Sequence, residues 1–574
     1  MQGTPLSTGI GARERAAVAL IVLGLTAALV YQAKRVGITV DEPAHVLSGY
    51  LFWLGQDNLE PRDLPPLIKL VGGWPARILR PPIPVDVPNV WRTQNEWIIA
   101  GEMLGKMEPA EVDRLFFACR LPLIVFPLLT AVIIWRWGRE LFAPWIGVLL
   151  AAIYALEPTA LSHGALYKND AAAAFAYLWF WRRAWLLWRT PDHARVALLG
   201  VALGVALLAK ISLLILLAIA PIAATAAFLP ALRLKRAAVA IVCVLVVAYA
   251  VTVAGSGFKV IRLTEKTVAD YETKGLLPSF ALPVAQLFRY VPVSENVWNG
   301  MVSLLRSNRK DTGWVYAIGR LRDGGQPWYF ALAVGVKTPI ALQVLLLAGL
   351  IAAVIRWRHY VTTAIFWVAP GLLYFALASL SNLQLGFRLV LPALPFAILL
   401  CGPALIALRG RRAIILALGL CGWLALETAR TYPHGIAYFN QWAGGPANGL
   451  RYLADSNLDW GQSLGEVARY CRGNGIPKIN ISYWGWDRPL RYFRPDEFET
   501  LMAPWEKSYV NGQVYQPAPG YYAISSQFLP GYVFAEDYHD YFQVFRERKP
   551  IAQAGYSIYI YRIEGTTAGS PSQP

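Results

Sequence analysis

Long apolar stretches separated by short basic clusters constrain this chain more than any other feature of its sequence. A helix needs roughly 20 mostly apolar residues to cross ~30 Å of hydrocarbon. Runs of about that length lie at residues 16–33, 115–135, 144–161, 170–188, 195–209, 211–230, 237–254, 339–355, 361–380, 389–408 and 412–429. They predict a polytopic α-helical membrane protein with about 11 transmembrane helices.

The composition supports a membrane protein and argues against a soluble enzyme, a nucleic-acid-binding protein and a disulfide or zinc scaffold. Hydrophobic residues make up 56% of the 574 residues, which is too apolar for a soluble enzyme of this length. The net charge of +17 comes from short Lys and Arg clusters between apolar runs, so we expect no nucleic-acid partner. The five cysteines show neither a disulfide framework nor zinc-site spacing.

The basic clusters also predict the orientation. With the spans threaded alternately, the clusters at 136–139, 182–195, 233–236, 356–358 and 409–412 fall on the side of the N-terminus. The positive-inside rule makes that side cytoplasmic, in a multi-pass protein of the inner (plasma) membrane, in contact with membrane lipids. The first apolar run follows polar residues without a cleavage site and is interpreted as a retained span. An odd span count places loops 34–113 and 255–338 and the chain after residue 431 outside.

The chain after the last apolar run predicts a separate extracytoplasmic domain at 432–564, following a transmembrane catalytic domain at 1–431. A helix-like pattern at 464–472 and strand-like patterns at 478–483, 521–525 and 556–563 favour a small α/β fold. Residues 565–574 have the composition of a disordered tail.

Candidate catalytic residues begin the first outer loop, where Asp41 and Glu42 lie just after the first apolar run and His45 follows. Asp41 and His45 are four positions apart and share one face of a predicted helix. Together these side chains could activate a nucleophile or hold a cation, which makes Glu42 and His45 candidate ligands of a divalent metal. Helix capping by Asp41 explains the same pattern.

A second acid and three cations also fall on the predicted outer side. Asp170 opens the fourth apolar run, where it is either a functional acid or a helix cap. Lys69 follows a Pro-Pro turn, while Lys337 and Arg388 lie where later runs begin. Each cation could meet a lipid phosphate or simply extend toward the headgroups.

These motifs resemble those of the GT-C superfamily, in its phospholipid-carrier-dependent branch (glycosyltransferase family 39). That branch includes protein O-mannosyltransferases and the aminoarabinose transferase acting on lipid A. The resemblance rests on Asp41-Glu42, the segment 65–69, Asp170 and the segments 325–330 and 337–339, and it covers most of residues 16–430. The sequence departs from the family pattern just before the Pro-Pro turn, where members often have His and this chain has Asp63-Leu64.

The resemblance implies a sugar donor linked to polyprenyl phosphate and an acceptor outside the cytoplasm, whether protein, lipid or glycan. By the same resemblance Asp41 is the general base in an inverting transfer, with Glu42 and Asp170 assisting. It implies that Lys69 binds the donor phosphate and makes Lys337 and Arg388 further candidates. The chain has no MIR-like repeat, which points to a prokaryotic enzyme.

Three alternatives stay open. The chain could be an oligosaccharyltransferase-like enzyme, a lipid ligase of the same architecture, or a transporter or flippase. A transporter should carry polar residues in the middle of several spans, whereas the charges here lie at span ends. The polar, aromatic segment 455–462 is either a sugar contact or a turn-rich connector.

Overall fold

The apolar runs of the sequence form helices in the computed structural model, which describes residues 10–56, 64–84, 91, 95–229, 233–308, 314–407, 411–504 and 514–564. Within this part of the chain five helices are long and apolar enough to cross a membrane: Ala12–Arg35, Pro109–Leu141, Ile211–Phe228, Leu234–Gly255 and Phe387–Ala407. The predicted disordered tail at 565–574 lies outside the described residues.

Three further spans arise if sharply bent helix pairs are each counted once, which gives eight among the described residues. The pairs are Pro144–Leu156 with Pro158–Gly164 (65°), Tyr329–Lys337 with Ile340–Ile355 (116°), and Trp357–Trp367 with Ala369–Ser379 (54°). Each second helix has a proline at, or just before, its first residues, where a missing N–H is tolerated. The fold is thus a multi-helix membrane bundle with bent elements.

The count of about eleven spans remains a prediction. The helix Asp170–Arg189 ends with several arginines, and His193–Ala209 has only 17 residues. The last apolar run corresponds to the helix Arg411–Thr431. His193–Ala209 packs closely on Leu234–Gly255, because a Cβ at Gly204 would lie 2.6 Å from the Cβ of Val251. Small residues that allow such close approach are typical of membrane helix pairs.

The two predicted outer loops fold into short elements around the bundle. The first contains the helices Glu42–Trp53, Pro66–Gly72, Trp74–Leu79 and Glu96–Gly105. The second contains the helices Glu265–Thr273, Leu282–Leu287 and Glu295–Ser307, the paired strands Val260–Ile261 and Val293–Ser294, and the hairpin Trp314–Ala317 with Arg320–Asp323. Three of these helices, Glu42–Trp53, Glu96–Gly105 and Glu295–Ser307, contribute residues to the wall of the cavity described below.

The C-terminal region contains a five-stranded mixed sheet. Its strands lie in the order Phe498–Thr500, Ile479–Ser482, Gly520–Ser525, Ile558–Ile563 and Ala552–Ala554. The first three are parallel and the last two pair antiparallel. The helix Leu464–Gly473 buries Leu464, Val467 and Ala468 in the same apolar cluster as Ile479 and Ile558. The α/β character predicted for this region is therefore observed, although its boundary as a domain remains a prediction.

Candidate functional site

A cavity of about 530 Å³ lies where both loops meet the helical bundle. Its polar end is lined by Asp41, His45, Lys168, Lys210 and Arg388. The sequence places these residues in four separate segments, each at the end of an apolar helix or of the first loop. The structure therefore gathers one acid, one imidazole and three cations at one end of a single cavity.

The remaining wall of the cavity is largely apolar. Ile211, Leu304, Phe330, Leu377 and Leu389 contribute to it. A cavity that is charged at one end and apolar along its sides suits an amphiphile with a charged head.

Asp41 forms an ion pair with Lys168, with 2.6 Å between Oδ2 and Nζ. It holds the predicted N-cap position of the helix Glu42–Trp53, but its side chain makes no capping hydrogen bond. Burial raises the pKa of Asp41, but Lys168, His45 and Arg388 outweigh this effect and hold the pKa at about 2. Asp41 is therefore a carboxylate at neutral pH.

His45 lies beside the same ammonium group. Its Nδ1 is 3.3 Å from the carbonyl oxygen of Tyr167 and its Nε2 is 3.4 Å from Lys168 Nζ. Donation from Nδ1–H to the carbonyl leaves Nε2 as the acceptor facing Lys168. Burial and the charge of Lys168 lower the pKa of His45 to about 3, so the imidazole is neutral.

Glu42 is fully buried and satisfied by the protein itself. Its carboxylate accepts from Arg120 Nε at 2.7 Å, Thr39 N at 2.9 Å and Tyr167 N at 2.8 Å. Burial raises the pKa of Glu42, but Arg120 and these hydrogen bonds more than reverse this. Glu42 is thus placed to hold the loop before Asp41 against the segment that carries Lys168, rather than to contact a substrate.

Asp170 lies behind two of the cations. Its Oδ1 is 2.6 Å from Lys210 Nζ and its Oδ2 is 3.6 Å from Arg388 Nη1, and the residue has no exposed surface. It is the first residue of its helix, where the capping position is held by Asn169. The functional interpretation is therefore favoured over capping, with Asp170 orienting cations that face the cavity.

The segment 455–462 supports this cation cluster from the C-terminal side. Ser456 Oγ accepts from Arg388 Nε at 2.9 Å. The indole of Trp460 lies 4.3 Å from the Arg388 guanidinium and 5.7 Å from Lys168 Nζ. Val40 N donates to the Trp460 carbonyl at 2.8 Å, just before Asp41 in the chain. The segment is thus a structural support, which we call the 455–462 support.

The cavity does not include the other two predicted phosphate ligands. Lys337 is buried and donates to the carbonyl oxygens of Ile436 and Asn457, at 2.8 and 2.5 Å. Lys69 is also buried, on the helix Pro66–Gly72. Neither side chain lines the cavity wall.

The candidate metal ligands do not fit a metal centre. Both oxygens of Glu42 accept from Arg120, and the ammonium of Lys168 lies between Asp41 and His45. Across the described chain no three His, Cys, Asp or Glu side chains form a group suited to hold an ion. We therefore assign no step to a metal.

Sequence reasoning missed Lys168 and Lys210 as site residues, and it did not predict which groups Trp460 contacts. Lys210 carried a usable signal, because it is a lone lysine between two apolar runs on the predicted outer side. Lys168 lies two residues before Asp170 and could have been included with it. Trp460 lies in the aromatic segment 455–462 that the sequence offered as a possible sugar contact, but its contacts with cations could not be predicted, since they cross more than 70 residues of chain.

Solved structures similar to this chain include two of ArnT from Cupriavidus metallidurans, both at 12% identity. The one bound to undecaprenyl phosphate covers 95% of this chain and 97% of its own, with a TM-score of 0.45. The apo form covers 96% and 98%, with a TM-score of 0.46. The Archaeoglobus fulgidus oligosaccharyltransferase, in complex with Zn and sulfate, is 12% identical over 89% of this chain and 68% of its own, with a TM-score of 0.41.

No protein-family model and no curated protein matches the sequence. The likeness to these solved structures is one of fold alone. Because the identities and TM-scores are this low, the likeness carries no argument about activity, which has to rest on the chain's own residues.

Proposed function

We propose that this chain is a membrane glycosyltransferase that moves a sugar from a polyprenyl-phosphate-linked donor to an acceptor outside the cytoplasm. The observation that carries the proposal is the cavity itself, in which Asp41 faces Lys168, Lys210 and Arg388 at the end of apolar walls. Two of these cations share the buried Asp170, and the third is paired with Asp41. An anionic group is the complement of such a cluster.

The donor's phosphate belongs between Lys210 and Arg388. Arg388 presents a planar fork of donors and Lys210 a point charge, the two forms in which proteins hold phosphate. The prenyl chain then follows the apolar side of the cavity along Leu377 and Leu389. Lys69 and Lys337, predicted as ligands from the sequence, are left out of this contact because neither lines the cavity.

The transfer needs a proton acceptor and a stabilised leaving group. The acceptor hydroxyl or amine gives its proton to Asp41 while its lone pair attacks the anomeric carbon. The bond from that carbon to the phosphate oxygen breaks with inversion, and its electron pair stays on the phosphate. Lys210 and Arg388 stabilise the negative charge that develops there.

Donor turnover by the purified protein tests the proposal. Polyprenyl-phosphate-linked hexoses and pentoses, each radiolabelled in the sugar, are incubated with the protein and with candidate protein, lipid and glycan acceptors. We expect release of polyprenyl phosphate coupled to labelled product for one sugar class. Passage of an intact labelled donor across proteoliposomes, with no sugar released, would instead identify a flippase.

A further inference from the structure

A second opening, a cleft of about 840 Å³, lies on the C-terminal region. Its walls come from the turn Pro446–Arg451, residues 546 and 548–550, and the strands Ala552–Ala554 and Ile558–Ile563. None of its lining residues also lines the catalytic cavity. The cleft is therefore a separate feature whose chemistry has to be explained on its own.

Tyrosine rings are concentrated in this cleft. Tyr316, Tyr556, Tyr559 and Tyr561 all line it, and the first two are partly exposed. A tyrosine ring offers an apolar face together with a hydroxyl. This pairing matches a sugar ring, which has apolar C–H faces and polar edges.

The rim of the cleft is cationic. Arg451, Arg548 and Lys549 are exposed there, and no lining residue in the described chain is acidic. A fourth cation, Arg546, is already paired with Asp540 at 2.5 Å. The exposed cations give the cleft a local positive charge that favours an anionic ligand.

A buried polar atom in the wall also points to a ligand. Gln553 donates through Nε2 to the carbonyl of Ala447 at 3.1 Å. Its Oε1 is buried and has no hydrogen-bond partner among the described residues. A buried acceptor without a partner favours a ligand whose hydroxyl group can donate a hydrogen bond to it.

The cleft adjoins the catalytic cavity through a small intervening cavity. Tyr316 lines both the cleft and the small cavity, and Leu383 and Leu385 line both the small cavity and the catalytic one. A molecule bound in the cleft would therefore lie one small cavity away from the cavity lined by Asp41.

We propose that this cleft binds an oligosaccharide that carries negative charges, with its sugar rings against the tyrosines and its anionic groups at Arg451, Arg548 and Lys549. Binding in the cleft requires no sugar transfer, so it is independent of the proposed function.

Calorimetric titration of the full chain in detergent tests the proposal. Trigalacturonic acid, with a carboxylate on every sugar, should bind, and neutral maltotriose should bind about tenfold more weakly or not at all. The double variant Arg548→Gln, Lys549→Gln should weaken trigalacturonate binding by about tenfold, since it removes two charge-assisted contacts. Arg562→Gln is the matched control, because Arg562 is exposed in the same sheet and does not line the cleft.

A second substitution separates carbohydrate recognition from plain anion binding. Tyr556→Ala should weaken trigalacturonate binding and leave the weak binding of inorganic phosphate unchanged. The proposal is overturned if maltotriose binds as tightly as trigalacturonate, if phosphate displaces the trisaccharide at equal concentration, or if Arg562→Gln produces the same loss as the double variant. Thermal unfolding curves that match the parent protein establish that each variant is folded.

Discussion

Asp41 is kept ionised by its surroundings, and this shapes what it can do. A carboxylate with a pKa near 2 is a weak base toward a free hydroxyl. In the proposed transfer it accepts the proton only once the attacking oxygen has begun to bond with the sugar, because that oxygen is then far more acidic. The role proposed for Lys168 is to keep Asp41 unprotonated and oriented until that point.

Replacing Asp41 should therefore stop transfer without unfolding the protein. Asp41→Asn keeps the size of the side chain but removes the proton acceptor, and a positioned base is worth about 10² to 10⁴ in rate. We expect transfer from the lipid-linked donor to slow by at least about 100-fold. Asp192→Asn is the control, since Asp192 is also in an ion pair, with Arg195, but lies at an exposed helix start. Near-normal transfer by Asp41→Asn at matched protein level would falsify the assignment of the base.

The charge of Lys168 should set the pH range of the reaction. In Lys168→Met the burial of Asp41 is no longer opposed by the nearest cation, so the pKa of Asp41 rises above 2. A base works only when deprotonated, so the acid limb of the pH–rate profile should move to higher pH. Lys168→Arg keeps the charge and should keep the parent profile. An unshifted limb in Lys168→Met, with activity retained, would show that the limb does not report Asp41.

The residues of the site were only partly predictable. Asp41, His45, Asp170 and Arg388 could be selected because ionisable side chains at helix ends in a membrane protein are costly unless they are used. The ion pairs that these residues form could not be predicted, because an acid at a helix start gives the same sequence pattern whether it caps the helix or binds a cation. Glu42 shows the converse, since adjacency to Asp41 suggested shared chemistry but its carboxylate turns toward Arg120.

Among the elements, the 455–462 support connects the C-terminal region to the cavity lined by Asp41 and Arg388. Asn457 Oδ1 accepts from Phe387 N at 2.9 Å, at the start of the segment that carries Arg388. Gly386 has a φ of 136°, and a Cβ there would lie 2.4 Å from Ser456 Oγ. The backbone before Arg388 and the support therefore fit only because residue 386 has no side chain.

Removing the indole of Trp460 should weaken binding of the lipid-linked donor. A cation–π contact is worth about 0.5 to 2 kcal/mol, or roughly 2- to 30-fold in an equilibrium constant. Trp460→Leu should raise KM for the lipid-linked donor within that range, while Trp460→Phe, which keeps an aromatic face, should stay near the parent value. A lower kcat with unchanged KM in Trp460→Leu would point to a role away from the donor phosphate.

Element prediction succeeded where the pattern was local. The helix Leu464–Gly473 and the three longer strands of the C-terminal sheet follow from hydrophobic periodicity within one segment. The edge strands Phe498–Thr500 and Ala552–Ala554 were missed, because three residues are too few to show alternation. The bends between paired membrane helices were also missed, since one proline is compatible with a kink of any size.

At the scale of the whole molecule, charge is distributed unevenly along the bundle. The basic clusters at 182–195 and 233–236 lie on the predicted cytoplasmic side. Lys210 and Arg388 interrupt the apolar helices on the other side, and both contact Asp170. On the basic side the acids paired with Arg182 and Arg195 are partly exposed, whereas Lys210 and Arg388 share one fully buried acid. A shared buried acid is expected if these two cations were retained for a site rather than for orientation.

The predicted orientation implies that the cavity lined by Asp41 and the C-terminal sheet both face away from the cytoplasm. Green fluorescent protein folds in the cytoplasm and alkaline phosphatase becomes active outside it, so paired fusions at one position report its side. Fusions after Arg195, Arg236 and Arg412 should fluoresce and lack phosphatase activity. Fusions after Thr431 should behave in the opposite way, because the predicted last span separates Arg412 from Thr431. The same signal at Arg412 and Thr431 would show that no span separates them. A reversed pattern at all four positions would show that the predicted orientation is wrong and that Asp41 lies on the cytoplasmic side.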